Sequence, residues 1–577
     1  MQTVKKINKI LNSNQKRNFY ILLIVTTFVS FLDLIGIGAI LPVLIILSDT
    51  QFIKNEYIIY ILEKFHFLNE ENFLFFSIYF LLFVFLFKIG LSLIFNFIKY
   101  KILFSFYQKI STRLMKTYLN LAYSEFIKLK VFEKTNIIKT EVEYFVMGVI
   151  DPFFIIFLEL LTVIFLFIFL FYYDTQLSVK LIYIIVLPVI VMVYFFGKKM
   201  KKLGVQKHDL NNQLQLQTTQ GLHGIKDIKL SLKENVLIDK FDKLTFNMSK
   251  TTSAIYYWQA LPRNILEMIT ILAFIIIAFI GLSNEKEFSE LLVTLGIFAA
   301  AAFRIMPSLN RIVVSFNSIR QTMKVINVIY EDLKLDKKIN QNNLDLNESE
   351  THLPRDIDLI EIKNLNFKFE NTSNFLIKDL NLKINKGSYV GIYGKSGSGK
   401  TTFVDLFSGL LIPDSGIIKF DNQDITEHSK LWKRSISYVP QFTYVNNASI
   451  RENIAFGNEI DDKKVIESLK NSQLLEDVNA LPKGIATIIG ENGKNLSGGQ
   501  IQRMGIARAL YRDSKILIFD ESTNSLDLDT ENQFMEIIKN IKGDKIILFI
   551  SHKISILKNC DIVYELTGKN LIKKNIK

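Results

Sequence analysis

The sequence predicts a membrane protein of two parts, in which a helical domain with six transmembrane spans precedes an α/β domain with a phosphate-binding loop. Three observations predict this fold class. Hydrophobic residues make up 49% of the 577 residues, long uncharged runs are confined to residues 19–306, and short β-like runs alternate with helical stretches from Ile357 onward. With 22% charged residues and a mean hydropathy of +0.24, the composition excludes a disordered or fibrous chain.

The first half of the chain carries apolar stretches of membrane-spanning length. About 20 apolar residues cross a bilayer as a helix. The first stretch is too long for a signal peptide and is followed by no small-residue cleavage site. We therefore expect a transmembrane domain over residues 1–330. Its six spans are predicted at about 19–48, 72–98, 148–173, 177–197, 262–283 and 289–311.

The Lys and Arg residues between these spans predict their orientation. The first 18 residues carry five of them, the loop 99–140 carries nine and the loop 197–250 carries eleven, whereas the other three loops hold three against nine acids. The N-terminus, the two long loops and the C-terminal half should therefore face the cytoplasm. Because the basic loops alternate with the spans, the net charge of +13 indicates membrane topology and not nucleic acid binding.

The composition changes again after the sixth span. Residues 331–356 are polar, which predicts a linker, and residues 357–577 have the pattern of an α/β domain with a largely parallel sheet. On the outer side, residues 51–69 place apolar side chains on one helical face. They form either an amphipathic helix on the membrane surface or a helical extension packed on the bundle. The lone cysteine, Cys560, excludes an intrachain disulfide framework.

A nucleotide-binding loop opens the second domain. Residues 394–401 (GKSGSGKT) fit the pattern G-x-x-x-x-G-K-[ST] between a strand and a helix, where glycines let successive backbone N–H groups surround phosphates. Lys400 should reach the β- and γ-phosphates, and the Thr401 hydroxyl should bind Mg²⁺. Further along, an apolar strand ends in Asp520, which suits Mg²⁺, and Glu521, which suits a general base that polarises the attacking water.

The run LSGGQ at 496–500 resembles the signature of the ATP-binding-cassette (ABC) ATPases. Other motifs match that family in order. Gln441 in YVPQ resembles the Q-loop glutamine, and His552 in ISHK resembles the switch histidine. Asp527 in NSLD resembles the D-loop aspartate, with Asn-Ser where Ser-Ala is usual, and Phe369 in NFKFE stands where the family stacks an aromatic ring on adenine.

This resemblance implies an ATP hydrolase coupled to transport, with ATP and Mg²⁺ as its cofactors. In the family, the signature helix of one cassette completes the phosphate site of another. One cassette and six spans therefore imply a homodimer with composite ATP sites. The implied residues are the catalytic Glu521, His552 and Gln441; the Mg²⁺ ligands Thr401, Gln441 and Asp520; and the ATP-binding set Phe369, Gly394, Lys395, Ser396, Gly397, Ser398, Gly399, Lys400, Thr401, Thr402, Ser497, Gly498, Gly499, Gln500 and Asp527.

Four basic residues lie in or beside the predicted spans, where an ionisable side chain indicates a functional site. Counted inward from the outer ends, Lys88, Arg263 and Arg304 share a depth of roughly 22–29 Å at 1.5 Å per residue, and Arg311 lies about two turns deeper. Positive charge at one depth suits a phosphate or diphosphate group. Alternatively, these side chains reach the cytoplasmic interface or pair with acids of the spans, namely Asp33, Glu159 and Glu267.

The residues around these charges carry a second resemblance. The runs LPR at 261–263, FRIMPSLNRI at 303–312 and GIKDIKL at 224–230 closely resemble the bacterial lipid-linked oligosaccharide flippases of the PglK type. The resemblance implies an exporter-type transporter of the bacterial inner membrane that moves a polyprenyl-diphosphate-linked oligosaccharide from the cytoplasmic to the outer leaflet. Where that family has Arg in the second span, this chain has Lys. The implied substrate-binding residues are Lys88, Arg263, Arg304 and Arg311.

Other functions stay open at this point. An ABC exporter of another lipid such as lipid A, of a drug or of a peptide would carry the same cassette. A non-transport ABC ATPase is disfavoured by the six spans before the cassette. An importer is disfavoured because spans and cassette share one chain. The glycan and the length of the polyprenyl carrier are not specified by the sequence.

Overall fold

The computed structural model of the chain describes residues 2–38, 70–173, 175–283, 288–343, 356–370, 372–490, 493–522, 528–541 and 543–575. The chain divides into two compact units. The first comprises Met1–Leu121 and Phe126–Asn340, and the second comprises Ala122–Glu125 and Gln341–Lys577. The predicted outer segment at residues 51–69 lies outside the described residues, as do the part of the first predicted span beyond residue 38 and the D-loop residue Asp527.

The described residues of the first unit form α-helices joined by short turns, because its long apolar runs lack breakers in most positions. The α-helices of this part of the chain are α1 (Gln2–Ile10), α2 (Ser13–Gly38), α3 (Glu70–Leu119), α4 (Tyr123–Phe126), α5 (Val131–Asn136), α6 (Val142–Phe145), α7 (Asp151–Tyr173), α8 (Thr175–His223), α9 (Ile225–Ser231), α10 (Glu234–Ser283), α11 (Phe288–Gln321) and α12 (Met323–Asn343). Most of α4 belongs to the second unit. Two π-helical turns, Ile137–Glu141 and Val146–Ile150, flank α6.

Three helices are longer than a bilayer requires. Helices α3 and α10 have 50 residues each and α8 has 49, so each is about 75 Å long at 1.5 Å per residue. A hydrocarbon core is about 30 Å thick, so these helices extend well past it. Among the described residues, four stretches are long and apolar enough to cross a membrane. They are Ile78–Leu119, Val131–Tyr172, Ser178–His223 and Glu234–Ile276.

Helix α8 approaches α11 closely at a glycine. A Cβ atom at Gly204 would lie only 2.0 Å from the backbone oxygen of Gln321. A second glycine, Gly148, lies in the π-helical turn before α7, where an added Cβ would come within 2.6 Å of Thr322 Oγ1. Gly204 needs to be glycine because the facing atoms are backbone, whereas Gly148 faces the side chain of Thr322. Both contacts are made with residues at the end of α11 and at its junction with α12.

The predicted linker at residues 331–356 is wrong in its first half. Helix α12 continues to Asn343, because its apolar residues, among them Ile326, Ile329 and Leu333, are buried in the core of the first unit. Asp332 is also buried, where it accepts a hydrogen bond of 2.5 Å from Tyr118 Oη and pairs with Lys134 Nζ at 2.8 Å. The polar composition that predicted a linker therefore belongs partly to the solvent face of a packed helix.

The second unit is an α/β domain. Its strands are β1 (Leu359–Phe367), β2 (Ile377–Asn385), β3 (Tyr389–Tyr393), β4 (Ser415–Phe420), β5 (Gln423–Asp424), β6 (Ile436–Val439), β7 (Ile516–Asp520), β8 (Ile546–Ile550), β9 (Ile562–Thr567) and β10 (Asn570–Lys574). Its α-helices are α13 (Lys400–Phe407), α14 (Ser429–Arg434), α15 (Ile450–Ala455), α16 (Asp462–Asn471), α17 (Leu475–Asn479), α18 (Gly498–Arg512), α19 (Leu528–Ile541) and α20 (Ile554–Leu557), and Gly484–Ala486 form a 3₁₀ turn.

Two sheets organise this unit. The larger sheet has the order β10-β9-β3-β8-β7-β6, and all its neighbouring strands are parallel except β10 and β9. The smaller sheet is antiparallel with the order β2-β1-β4-β5. Strands β7 and β8 are buried along their whole length, as expected for a parallel sheet covered on both faces. The carboxyl ends of β3, β6, β7 and β8 consequently meet at one edge of the larger sheet.

Candidate functional site

The phosphate-binding loop follows β3 at this edge. Gly397 and Gly399 have φ values of +77° and +101°, a backbone conformation that side chains with a Cβ rarely adopt. Lys400, at the start of α13, is 8% exposed and donates hydrogen bonds to the carbonyl oxygens of Gly394 at 2.8 Å and Lys395 at 3.2 Å. Burial lowers the pKa of Lys400, an effect opposed by the charges of Glu521 and Asp520. The loop thus holds an ammonium group inward, where a phosphate would meet it.

An unsatisfied hydroxyl group marks the same loop. Ser398 Oγ is buried and has no hydrogen-bond partner among the described residues. A buried hydroxyl that lacks a partner is unfavourable unless a ligand supplies one. A phosphate oxygen is a suitable acceptor, and the backbone N–H groups at the start of α13 add a favourable potential for an anion. These features fit the nucleotide that the motif predicts.

Asp520 ends β7 beside the loop. Its side chain is buried, and Oδ2 accepts a hydrogen bond of 3.0 Å from Tyr438 Oη. Burial raises the pKa of Asp520; the Tyr438 hydrogen bond opposes this shift, and the Glu521 charge adds to it. A buried carboxylate of this kind is stabilised by a cation. Together with the exposed Thr401 hydroxyl at the start of α13, Asp520 supplies the hard oxygen donors that Mg²⁺ prefers.

The three predicted catalytic side chains lie together. Glu521 Oε2 accepts a hydrogen bond of 2.9 Å from Gln441 Nε2, and Glu521 Oε1 lies 3.2 Å from His552 Nε2. Glu521 also has a φ of +49°, and its backbone N–H donates to the carbonyl of Ile550 at 2.8 Å. This left-handed turn after β7 aims the carboxylate out of the sheet edge. The geometry can therefore orient a water molecule against a γ-phosphate.

His552 links the base to the phosphate-binding lysine. Its Nε2 atom lies 3.0 Å from Lys400 Nζ as well as 3.2 Å from Glu521. Lys400 can donate to Nε2 only when that nitrogen lacks a proton, whereas a hydrogen bond to Glu521 needs the proton there. The two contacts therefore belong to different protonation states of one imidazole. His552 is placed to change partners when a nucleotide draws Lys400 away.

The signature motif begins helix α18. Ser497 is the N-cap, its side chain accepts from the Gln500 backbone N–H, and the Gln500 side chain accepts from the Ser497 N–H at 2.8 Å. This capping box leaves the helix start exposed, with open space around Gly498. Gln500 Nε2 also donates to Asp477 Oδ1 at 2.9 Å, and Asp477 pairs with Arg503. The helix start is thus held firmly while its N-terminus faces outward, as an anion site requires.

The predicted adenine-stacking residue is also accessible. The Phe369 ring is 40% exposed and contacts Phe367 edge to face, with ring centroids 5.2 Å apart. One face of the ring is therefore supported while part of it is open. Asp527, the remaining predicted ATP-binding residue outside these elements, lies among residues 523–527, which the structure does not describe.

Three residues near this site were not predicted from the sequence. Tyr438 donates a hydrogen bond to Asp520, and Gln502 Nε2 donates to the Glu521 carbonyl at 3.3 Å. Asp405 lies on α13, where burial, together with the charge of Asp520, raises its pKa to about 6. Tyr438 lies on β6, three residues before Gln441 in the sequence. This closeness to the Q-loop glutamine could have predicted its place in the site. Gln502 and Asp405 gave none, because only the fold brings α18 and α13 to the same edge.

The four predicted membrane cations have different environments in the first unit. Arg263 is exposed on α10, and Lys88 is partly buried, with Nζ 5.6 Å from the centre of the Phe85 ring. Arg304 is partly buried on α11. Arg311 Nε forms an ion pair of 2.7 Å with Glu159 Oε1, whose side chain is 4% exposed. Arg304 and Arg311 are seven residues apart on one helix and therefore share a face.

The ion pair with Glu159 involves Arg311, one of the predicted substrate-binding residues. Because Glu159 is buried on α7, Arg311 serves to compensate its charge, as the alternative reading of these charges expected. The Arg311 side chain is still 46% exposed. A second buried pair, Lys99 with Asp151 at 3.0 Å, was not predicted. The signal was Asp151, an acid just inside the third predicted span, which required a partner.

Comparisons with known proteins agree with this arrangement. A profile of the ABC transporter transmembrane region matches residues 17–304, and a profile of the ABC transporter matches residues 377–524. The fold is similar to that of a bacterial Atm1-family ABC exporter with ATP bound, with a TM-score of 0.75 and 17% identity over 97% of this chain and 94% of the other.

Curated relatives are similar over parts of their length. An ATP-dependent lipid A-core flippase of Pectobacterium atrosepticum is 28% identical over 71% of this chain and 69% of its own. One of Coxiella burnetii is 34% identical over 41% of each chain, and the leukotoxin export protein LtxB of Aggregatibacter actinomycetemcomitans is 36% identical over 40% of this chain. The last two alignments span less than half of those relatives. The two profile matches and the fold place the chain in the ABC transporter family, as an exporter-type half-transporter in which a transmembrane region precedes an ATP-binding cassette.

Proposed function

We propose that the protein is an ATP-driven flippase that moves a polyprenyl-diphosphate-linked oligosaccharide from the cytoplasmic to the outer leaflet of the bacterial inner membrane. The single observation that carries this substrate is the basic set Lys88, Arg263, Arg304 and Arg311 in the membrane domain. Arginine binds phosphate oxygens through two parallel hydrogen bonds, and an apolar span retains such charges only for a purpose.

The chemistry of the cargo fits this charge. A glycan and a diphosphate cannot enter hydrocarbon unaided, whereas the polyprenyl tail is already soluble there. A cavity with a basic lining would shield the diphosphate while the tail stays in the bilayer. Two copies of the chain would double the basic residues around one path, so we infer a homodimer.

Energy would come from ATP at two composite sites. Lys400 and the loop backbone bind phosphates, while Gln441 and His552 orient the Glu521 carboxylate against a water molecule. Mg²⁺, when bound by Thr401, Asp520 and Gln441, supplies charge neutralisation for the phosphates. The exposed start of α18 on one chain would face the phosphates on the other.

A second candidate is a lipid A-core flippase. It is favoured by the relatives that carry this name, including the Pectobacterium protein, which aligns over 71% of this chain. Lipid A and a polyprenyl diphosphate glycan both join acyl or prenyl chains to a phosphorylated sugar. The basic set suits the phosphates of either lipid, and the runs LPR and FRIMPSLNRI around Arg263, Arg304 and Arg311, which resemble the PglK-type flippases, favour the first candidate. The test must therefore offer both lipids.

Lipid-stimulated ATPase activity in nanodiscs tests the substrate. We expect a polyprenyl diphosphate oligosaccharide to stimulate hydrolysis more than lipid A or a neutral glycolipid does. Arg263→Ala and Arg304→Ala should raise the half-maximal lipid concentration at least tenfold, about 1.4 kcal/mol per decade. Lys250→Ala, an exposed basic residue on the same helix as Arg263, is the control and should behave as wild type. Stronger stimulation by lipid A would favour the second candidate.

A further inference from the structure

A buried acidic site lies in the first unit, apart from the basic set. Glu141 ends the first π-helical turn and is only 1% exposed. Its Oε1 atom lies 2.9 Å from His208 Nδ1 on α8. Its Oε2 atom is also buried and has no hydrogen-bond partner among the described residues. A buried carboxylate oxygen without a donor is strongly unfavourable, so this atom indicates a missing ligand group.

The hydrogen bonds around His208 engage only one oxygen of Glu141. Asn136 Nδ2 lies 3.2 Å from Asn212 Oδ1, and Asn212 Nδ2 lies 3.3 Å from His208 Nε2. With Nε2 accepting from Asn212, Nδ1 donates to Glu141 Oε1. The network therefore orients one oxygen of the carboxylate and leaves the other for a ligand.

A cavity of about 220 Å³ adjoins this carboxylate. Besides Glu141, the residues that line it include Lys207, Asn211, Gln321, Ser318 and Tyr144. The π-helical turns and the glycine contacts at Gly148 and Gly204 build this cavity, and π-turns are frequent at functional sites.

The mixed lining selects one class of ligand. Lys207 repels a cation, and Glu141 repels an anion. A hydroxyl group can donate to a carboxylate such as Glu141 and accept from an ammonium group such as that of Lys207, and amides pair with it in either direction. Hydrogen bonds from hydroxyl to carboxylate are among the strong ones. The cavity therefore fits a neutral group with several hydroxyls, that is, a sugar unit.

The position of the cavity suits the sugar of a lipid-linked cargo. Glu141 precedes the predicted span end at 148 by about 10 Å, and His208 lies about 16 Å past the span end at 197, at 1.5 Å per residue. Ser318 lies on α11, about 10 Å along the helix from Arg311. A glycan that hangs from a diphosphate bound near Arg304 and Arg311 would extend toward the cytoplasm along this helix.

We propose that the Glu141–His208 cavity binds a sugar unit of the cargo glycan before translocation. This inference rests on the proposed flippase function. In nanodiscs, the half-maximal concentration for ATPase stimulation is measured for polyprenyl diphosphate oligosaccharide and for bare polyprenyl diphosphate. Glu141→Gln should raise it tenfold or more for the glycan-bearing lipid and leave the bare lipid unchanged. Glu143→Gln, an exposed acid two residues away, should change neither.

The other outcomes are decisive as well. Equal values for Glu141→Gln and wild type, or the same shift with both lipids, would overturn the inference while leaving the flippase intact. If neither lipid stimulates the wild type, the proposed function itself fails. Lys207→Met is the second variant, should Glu141→Gln not fold, and the same selective shift is expected. Binding of free N-acetylglucosamine with no effect of Glu141→Gln on the lipid-linked glycan would assign the cavity to a cytoplasmic sugar and overturn the cargo role.

Discussion

Lys400 is the central residue of the nucleotide site. Its ammonium group bonds to two carbonyl oxygens of its own loop and to His552. A phosphate that binds there must replace these partners, and His552 is then free to donate to Glu521. The imidazole thus couples occupation of the phosphate site to the orientation of the base, over two contacts of 3.0 and 3.2 Å.

The base itself is tested by Glu521→Gln. The amide keeps the size and the contact with Gln441 but cannot accept a proton from water. We expect ATP hydrolysis to fall by roughly 10²–10⁴-fold, the range for loss of a general base. Binding of ATP, measured with a fluorescent analogue, should stay within about threefold of wild type. Retained hydrolysis would remove Glu521 from the role of base.

The carboxyl group of Asp405 gives the cassette a pH dependence. Burial first, and then the charge of Asp520, raises its pKa to about 6 from an ordinary value of 3.8. Between these values the folded chain holds a proton that the unfolded chain has lost, so its contribution favours folding below pH 4 and is lost as the pH rises through 6. Asp405→Asn should flatten the change in the unfolding temperature between pH 5 and 7. An unchanged slope would contradict this assignment.

The sequence predicted the types of the residues in the nucleotide site but not their contacts. The ordered motifs identified Lys400, Gln441, Glu521 and His552, because each type suits its chemistry at a fixed place in the chain. They could not show that one imidazole nitrogen faces both Lys400 and Glu521. That geometry depends on β3, β7 and β8 lying side by side, which only the folded sheet establishes.

Among the elements, the contact of α8 with α11 is the most constrained. Gly204→Ala would place a methyl group 2.0 Å from the Gln321 carbonyl oxygen, and the two helices would have to separate. We expect the free energy of unfolding to fall by about 1–3 kcal/mol, which is typical of overpacking. Gly221→Ala, on the same helix with nothing within 4 Å, is the control and should gain about 0.5–1 kcal/mol. Thermal unfolding of the purified chain in detergent compares them.

The sequence could not predict which helices contact each other, because those contacts also depend on the fold. The length of the apolar runs predicted the membrane-spanning helices. It could not assign Glu159 to Arg311, because the partners lie on α7 and α11 and are about 150 residues apart. The helical half of the predicted linker was missed because Tyr118 and Lys134, which hold Asp332, belong to distant elements.

If the ATP sites are composite, the activity of a dimer depends on which chain carries each substitution. If the signature acts in trans, a chain with Lys400→Ala paired with a chain carrying Ser497→Arg retains one intact site. The same two changes placed in one chain, paired with wild type, damage both sites. We expect the first heterodimer to hydrolyse ATP at least tenfold faster than the second. The reverse order would mean that each cassette completes its own site.

The proposed flippase function requires that ATP hydrolysis is coupled to lipid movement. The direct measurement is flipping of a labelled polyprenyl diphosphate oligosaccharide in proteoliposomes, followed by the access of a glycan-modifying reagent. We predict ATP-dependent movement for the wild type and none above background for Glu521→Gln. Hydrolysis by the wild type without any movement of this lipid would contradict the flippase.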